Sequence, residues 1–302
     1  MKKTLLLSII FLFLLSTNVM PFGYFQTGRE IFLDFDQEIN NAALYYGPGQ
    51  GEMEYLLTPL VYYNGETQGI MEHLFLLGLG VGENTEISGI FLSEVYDGSN
   101  DSPTQFFIGI KNQNEIKDWK VAALAGYNSL SDGNETMDGF RIGLLTDYVL
   151  SEKLTLYNNL VYFKIDEFSS TSLTNGLSYE ADEKTRFLIS VFTSSVDELD
   201  ITSNIFSALL EYELNDDIIY TGKVYKDSEE DNYVISNQIK LELMDGLSLT
   251  GLFTYNSSDL ENNSIAVGAE KEFEKLSLKG AYWTELGDYN YSKFVLGLGY
   301  KF

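Results

Sequence analysis

Short polar turns recur along this chain about every 30 residues. Between successive turns lie two segments of alternating apolar and polar residues, so each period is one β-hairpin and the whole is a meander, not a helical repeat. The tight connectors are Ser151-Glu152-Lys153, Asp182-Glu183-Lys184, Asn215-Asp216-Asp217, Asp245-Gly246 and Glu274-Lys275. Longer, acidic connectors alternate with them at residues 129–138, 166–170, 197–200, 227–232, 257–263 and 285–290. Carried backwards, the same period places tight turns at 114–118, 82–84 and 47–51. That makes eight hairpins, or about sixteen strands. Residues 29–46 lie outside this count and read as an extra strand, a lumen segment or an N-terminal lead.

The alternation has period two. Over residues 247–256, Leu247, Leu249, Phe253 and Tyr255 share one face, and Ser248, Thr250, Thr254 and Asn256 share the other, with Leu252 as an exception. Residues 233–243 repeat the pattern, with Ile235, Ile239 and Leu241 opposed to Ser236, Gln238, Lys240 and Glu242. A soluble sandwich alternates in the same way, so periodicity alone does not name the solvent on either side. The aromatic residues do. Tyr127, Tyr162, Tyr255 and Tyr282 sit on the apolar face just before long connectors, and Tyr148, Tyr179, Tyr212 and Phe273 just before tight turns. Rings gathered at both ends of an apolar face form the two interfacial girdles of a membrane barrel. About eleven residues at roughly 3.3 Å each, tilted near 45°, rise about 25 Å, the height of the apolar band of an outer membrane. The fold class expected is all-β: a transmembrane antiparallel up-and-down barrel.

The remaining composition agrees. Lys2 and Lys3 precede an apolar run from Leu5 to Leu15, the order of a secretory signal peptide, too short to span a membrane as a helix. The expected organisation is a signal peptide over 1–23, with its cleavage point unresolved, and one barrel domain over 24–302. The chain has no cysteine, which excludes a disulfide framework and a thiolate metal site. Its formal charge is -26, and losing Lys2 and Lys3 takes it to -28, which speaks against nucleic-acid binding.

The last segment ends Phe294-Val295-Leu296-Gly297-Leu298-Gly299-Tyr300-Lys301-Phe302, with Phe294, Leu296, Leu298, Tyr300 and Phe302 on one face. It resembles the C-terminal assembly signal of bacterial outer-membrane β-barrel proteins, in which a glycine precedes two alternating aromatics and the chain ends on phenylalanine. Gly297, Tyr300 and Phe302 match that signal; Val295 stands where it has a polar residue. The resemblance implies an outer-membrane location, outer-membrane lipids and the barrel-assembly machinery as partners. It says nothing about cargo.

Candidate chemistry is sparse. His73 is the only histidine, and it shares a face with Met71 and Phe75, away from Glu72. No serine-containing glycine elbow accompanies it, so neither an enzyme nor a cofactor is expected. The run Gly78, Gly80 and Gly82 has no helix pattern after it and reads as a strand bend. Lys271 has lipid-facing parity near a strand end, where it can snorkel to headgroups. Charges of the polar parity form a mixed set, with Lys120, Arg141, Asp147, Arg186, Glu211, Lys223, Lys240, Glu242, Lys279 and Lys293 expected to line the pore, and Glu180, Glu270 and Glu272 beside them. No connector is long enough to fold into the lumen as a constriction loop. The expectation is a porin-like channel for ions and small polar solutes, cation-preferring, with a homo-oligomer left open. The alternatives are a structural or adhesive barrel acting through its acidic loops, and an outer-membrane hydrolase.

Overall fold

The computed structural model describes residues 51–302 apart from 64–65, 69, 97–102, 132–134, 167, 197–200, 229–232, 245, 258–262 and 287–290. The expected signal peptide and the segment 29–46 lie outside the described residues, as does most of the acidic connectors at 197–200, 227–232, 257–263 and 285–290.

The strands run β1 (Glu52–Tyr63), β2 (Glu66–Gln68), β3 (Ile70–Gly80), β4 (Thr85–Tyr96), β5 (Thr104–Ile116), β6 (Trp119–Ser131), β7 (Thr136–Ser151), β8 (Leu154–Ile165) and β9 (Phe168–Asp182). They continue as β10 (Thr185–Val196), β11 (Ile201–Asn215), β12 (Ile218–Asp227), β13 (Tyr233–Met244), β14 (Leu247–Asn256), β15 (Asn263–Glu272), β16 (Leu276–Leu286) and β17 (Ser292–Lys301). The short β2 and β3 both pair with β1, so the two form one strand and the sheet has sixteen. From β3 on, each strand pairs antiparallel with the next, and β17 returns to pair with β1. The sheet is a closed barrel, the one β architecture that leaves no unpaired backbone edge in lipid.

Between β3 and β17 the tight turns fall where the sequence places them, and side chains explain three of them. Asn215 Oδ1 accepts the Asp217 N–H at 2.9 Å, Asp182 Oδ1 that of Lys184 at 2.9 Å, and Ser151 Oγ that of Lys153 at 3.3 Å. Such two-residue bonds let Asn, Asp and Ser mimic a backbone turn. Gly82 lies at φ 77 in the turn after β3, a region closed to most side chains, so the last glycine of that run serves a turn and not a strand bend.

One boundary differs from expectation. Residues 166–170 form no long connector: Ile165 pairs with Phe168, and Asp166, at φ 49, begins a two-residue turn. Asp tolerates the left-handed region well enough to hold it. Of the expected turn at 47–51 only Gly51 is described, and β1 is paired on both edges, by β17 and β3. The count of sixteen holds because β17 closes the ring. In β1 the register against β17 shifts between Leu57 and Leu60, a bulge that contains Pro59; a bulge is where a strand tolerates a residue with no N–H.

The two faces of the sheet differ sharply. On β7, Phe140, Ile142 and Leu144 are 45%, 49% and 46% exposed, while Arg141 among them is 6% exposed. Among the described residues, the outward face of every long strand except β1 carries such apolar residues, a surface that lipid covers and water does not tolerate. Tyr127, Tyr179, Tyr212, Phe273 and Tyr282 all point outward near strand ends, as the girdles require. Ring pairs bind neighbouring strands there: Trp119 with Tyr148 at 4.6 Å, Phe140 with Tyr162 at 5.9 Å and Tyr233 with Tyr255 at 6.1 Å. Lys271 sits at such an end with Nζ 5.9 Å from the Phe273 ring.

Candidate functional site

The inner wall holds the charges that the alternation assigned to it, and most of them in opposed pairs. Arg186 and Glu211 are direct partners across β10 and β11; Nε donates to Glu211 Oε1 at 2.8 Å and Nη2 donates to the same oxygen. Lys240 lies 2.9 Å from Glu242 along β13. Lys120 reaches Glu115 at 3.8 Å near the tight-turn rim, with Asp147 opposite it in register on β7. Lys223 is buried opposite Leu209 and Ser236.

Lys279 and Lys293 reach further. Lys279 meets its register partner Glu270 at 3.3 Å, but its shorter contact, 2.8 Å, is to Glu54 on β1, on the far side of β17. Gly297 lies directly opposite Lys279 on β17, and a Cβ there would stand 2.7 Å from Leu56 Cδ2 and 2.9 Å from Lys279 Cβ. The missing side chain is what lets the lysine cross the strand. Lys293, wholly buried, likewise spans β1 to place Nζ 3.7 Å from Glu72 Oε2.

Arg141 is held by aromatics. Its guanidinium lies 4.9 Å from the Phe107 ring and 6.0 Å from Phe163, and Nη2 donates to Asn128 Oδ1 at 3.5 Å. Guanidinium stacked on ring faces gains both cation–π attraction and packing. Phe107 itself lies flat along the wall, over Gly109 and Gly126, where a Cβ would overlap its ring. Tyr157 lies over Gly176 in the same way.

The inner wall is also more apolar than the alternation implies. Leu252, the exception noted in β14, packs with Leu56, Ala266, Ala281, Trp283, Tyr291 and Val295 in one buried cluster. Val295, the departure from the assembly signal, is thereby explained: it packs against apolar neighbours, where a polar residue would lack partners. Tyr157, Leu188 and Leu209 form a second cluster.

The sequence reading missed Lys111 with Glu86, 3.3 Å apart on β5 and β4, and the acids Glu54 and Glu72. Their signal was available, since each shares parity with buried positions on its strand. His73 faces outward, with Nδ1 2.7 Å from the Tyr55 hydroxyl, and takes no part in the inner wall. At the chain end, Tyr300 pairs with Met53 and Leu276, its ring set edge-on to Phe302 at 5.5 Å, and the Phe302 N–H donates to Gly51 O at 2.7 Å.

The chain matches no protein-family model and no curated protein sequence. Among solved structures it is similar to a bacterial polysaccharide outer membrane secretin, with TM-score 0.55 and 9% identity over 83% of this chain and 97% of that one. This chain is a closed antiparallel β-barrel. The barrel is also similar to a variant porin from Rhodopseudomonas blastica, with TM-score 0.47, 10% identity and coverage of 83% and 99%. To the KdgM porin the values are 0.41, 8%, 83% and 99%. At these identities the likeness is one of fold.

Proposed function

We propose that the barrel is a passive, cation-preferring channel for ions and small polar solutes. The observation that carries this reading is the closed ring of sixteen strands, a circumference at which barrels enclose an aqueous channel instead of a filled core. The preference follows from how the wall bases are matched. Arg186, Lys111 and Lys293 each face a glutamate, and Lys279 faces two. With these four wall cations offset, the acidic connectors set the field at one mouth. Their Asp197, Glu198, Asp200, Glu229, Glu230 and Asp231 lie outside the described residues.

Screening makes the reading testable. Mouth charges act over a Debye length of about 10 Å at 0.1 M salt and about 3 Å at 1 M. In planar bilayers the reversal potential should show potassium preferred over chloride in a dilute gradient, and the preference should fade as salt rises. Glu229→Gln, Glu230→Gln and Asp231→Asn together should weaken it. Anion preference in dilute salt would instead give control to the wall bases, and absence of any conductance would reject a channel. A closed, structural barrel is the second reading, favoured by the apolar cluster around Trp283.

The flat ring of Tyr157 offers a check on the lumen. Gly176→Ala puts a methyl where the ring now lies, and the ring should be displaced toward the lumen. Single-channel conductance should fall. Adding Tyr157→Ala should restore it or exceed the parent value. An unchanged conductance in the single variant would mean that Tyr157 does not border the solute path.

A further inference from the structure

Several polar side chains of the outward face pair with one another. Tyr220 donates to Asn237 Oδ1 at 2.7 Å, Thr193 to Asn204 Oδ1 at 2.8 Å, and the Tyr55 hydroxyl lies 2.7 Å from His73. Each pair joins neighbouring strands and removes a polar group from contact with lipid. Asn158 on β8 and Asn175 on β9 are not treated in this way. They are register partners, both exposed, and neither side-chain amide hydrogen-bonds another described residue. Thr146 on β7, opposite Asn158, donates to the Asn158 backbone carbonyl at 3.2 Å, not to its amide.

Nor do these residues sit at a rim. Along β8, Asn158 lies between Leu156 and Leu160, which are 36% and 47% exposed; along β9, Asn175 lies between Leu173 and Leu177, with the girdle residue Tyr179 beyond. Two amides are therefore presented side by side within the apolar belt. In hydrocarbon each lacks water and needs a partner.

We infer that this face, across β7, β8 and β9, is where a second copy of the chain docks to form a twofold dimer. The choice of occupant rests on symmetry and on the amide group. Two copies inserted in the same sense are related by rotation about the membrane normal, which preserves depth. Each asparagine then faces groups at its own depth, including its counterpart. An amide both donates and accepts, so it is complementary to its own copy; a charged patch would meet like charge. The flanking leucines supply apolar contact around the amide centre.

The chain has no cysteine, so single cysteines report the contact without interference. In outer membranes holding the full chain, mild oxidation should link at least one of Asn158→Cys and Asn175→Cys into a species of twice the monomer mass. Leu249→Cys, outward on β14, should stay monomeric. Equal linkage at all three positions would overturn the proposal, as would an adduct of any other mass, which would mark a different partner. As a second measure, the parent barrel in mild detergent should have dimer mass, and Asn158→Leu with Asn175→Leu should give a folded, heat-modifiable monomer. A monomeric parent, or a double variant that remains dimeric, would also overturn it.

Discussion

Lys279→Met should lower the stability of the folded barrel by roughly 3–5 kcal/mol, the range for breaking a buried ion pair by removing one partner. The side chains of Lys279, Glu54 and Glu270 are 14%, 10% and 15% exposed, so the two glutamates would be left on the inner wall with little water to screen them. Removing the whole group should hurt far less. In Lys279→Met with Glu54→Gln and Glu270→Gln no charge is stranded, and most of the loss should be recovered. The measurement is the urea midpoint for loss of the heat-modifiable form in lipid vesicles. A loss below about 1 kcal/mol is what a solvated surface pair gives. That result would mean the group is bathed by a wide aqueous lumen and is not structural.

Deleting Phe302 should remove most of the folded barrel from the outer membrane and leave protease-sensitive chain in the periplasm. The Phe302 N–H closes the last backbone bond of the seam, to Gly51 O, and its ring stacks edge-on to Tyr300 at the membrane boundary. Because β17 is the strand that pairs with β1, weakening its end leaves two edges open at once, in a solvent that offers backbone groups no other partner. Phe302→Tyr keeps the aromatic terminus and the backbone bond, and should assemble at nearly the parent level. Normal amounts of protease-resistant barrel after the deletion would show that recognition of this chain does not depend on its last residue.

Much of this architecture was legible in the sequence because its signals are local. Period two needs only a residue and its second neighbour, so the outward Leu249, Phe253 and Tyr282 and the inward Arg186, Glu211 and Lys240 could be assigned before any pairing was known. Turn chemistry is local too, as Asn215 and Asp182 show. What escaped was whatever depends on register between distant segments. Lys279 bonds Glu54 only because β17 sets Gly297 opposite the lysine and Gly299 opposite the glutamate, a juxtaposition of residues more than 200 apart in sequence. Leu252 and Val295 looked irregular for the same reason: their partners are other inward apolar residues on β1, β15 and β16. Asp166 read as the start of a loop because acidic residues mark the other long connectors, whereas its backbone conformation makes a turn of two residues.

The seam has a kinetic side. Fifteen of the sixteen strand interfaces join neighbours in sequence and close short loops, while the sixteenth brings Glu52 against Lys301. Closing that loop, roughly eight times longer than a hairpin, adds only about 2 kcal/mol of chain entropy, since each doubling costs about 0.6 kcal/mol. Equilibrium stability therefore hardly registers the long span. Rate does, because the non-local pairing forms last and its contacts reward the chain only after the ends have met. Until then the growing sheet is a ribbon with two live edges, and its lifetime in that form is set by how quickly the ten residues of β17 find the twelve of β1.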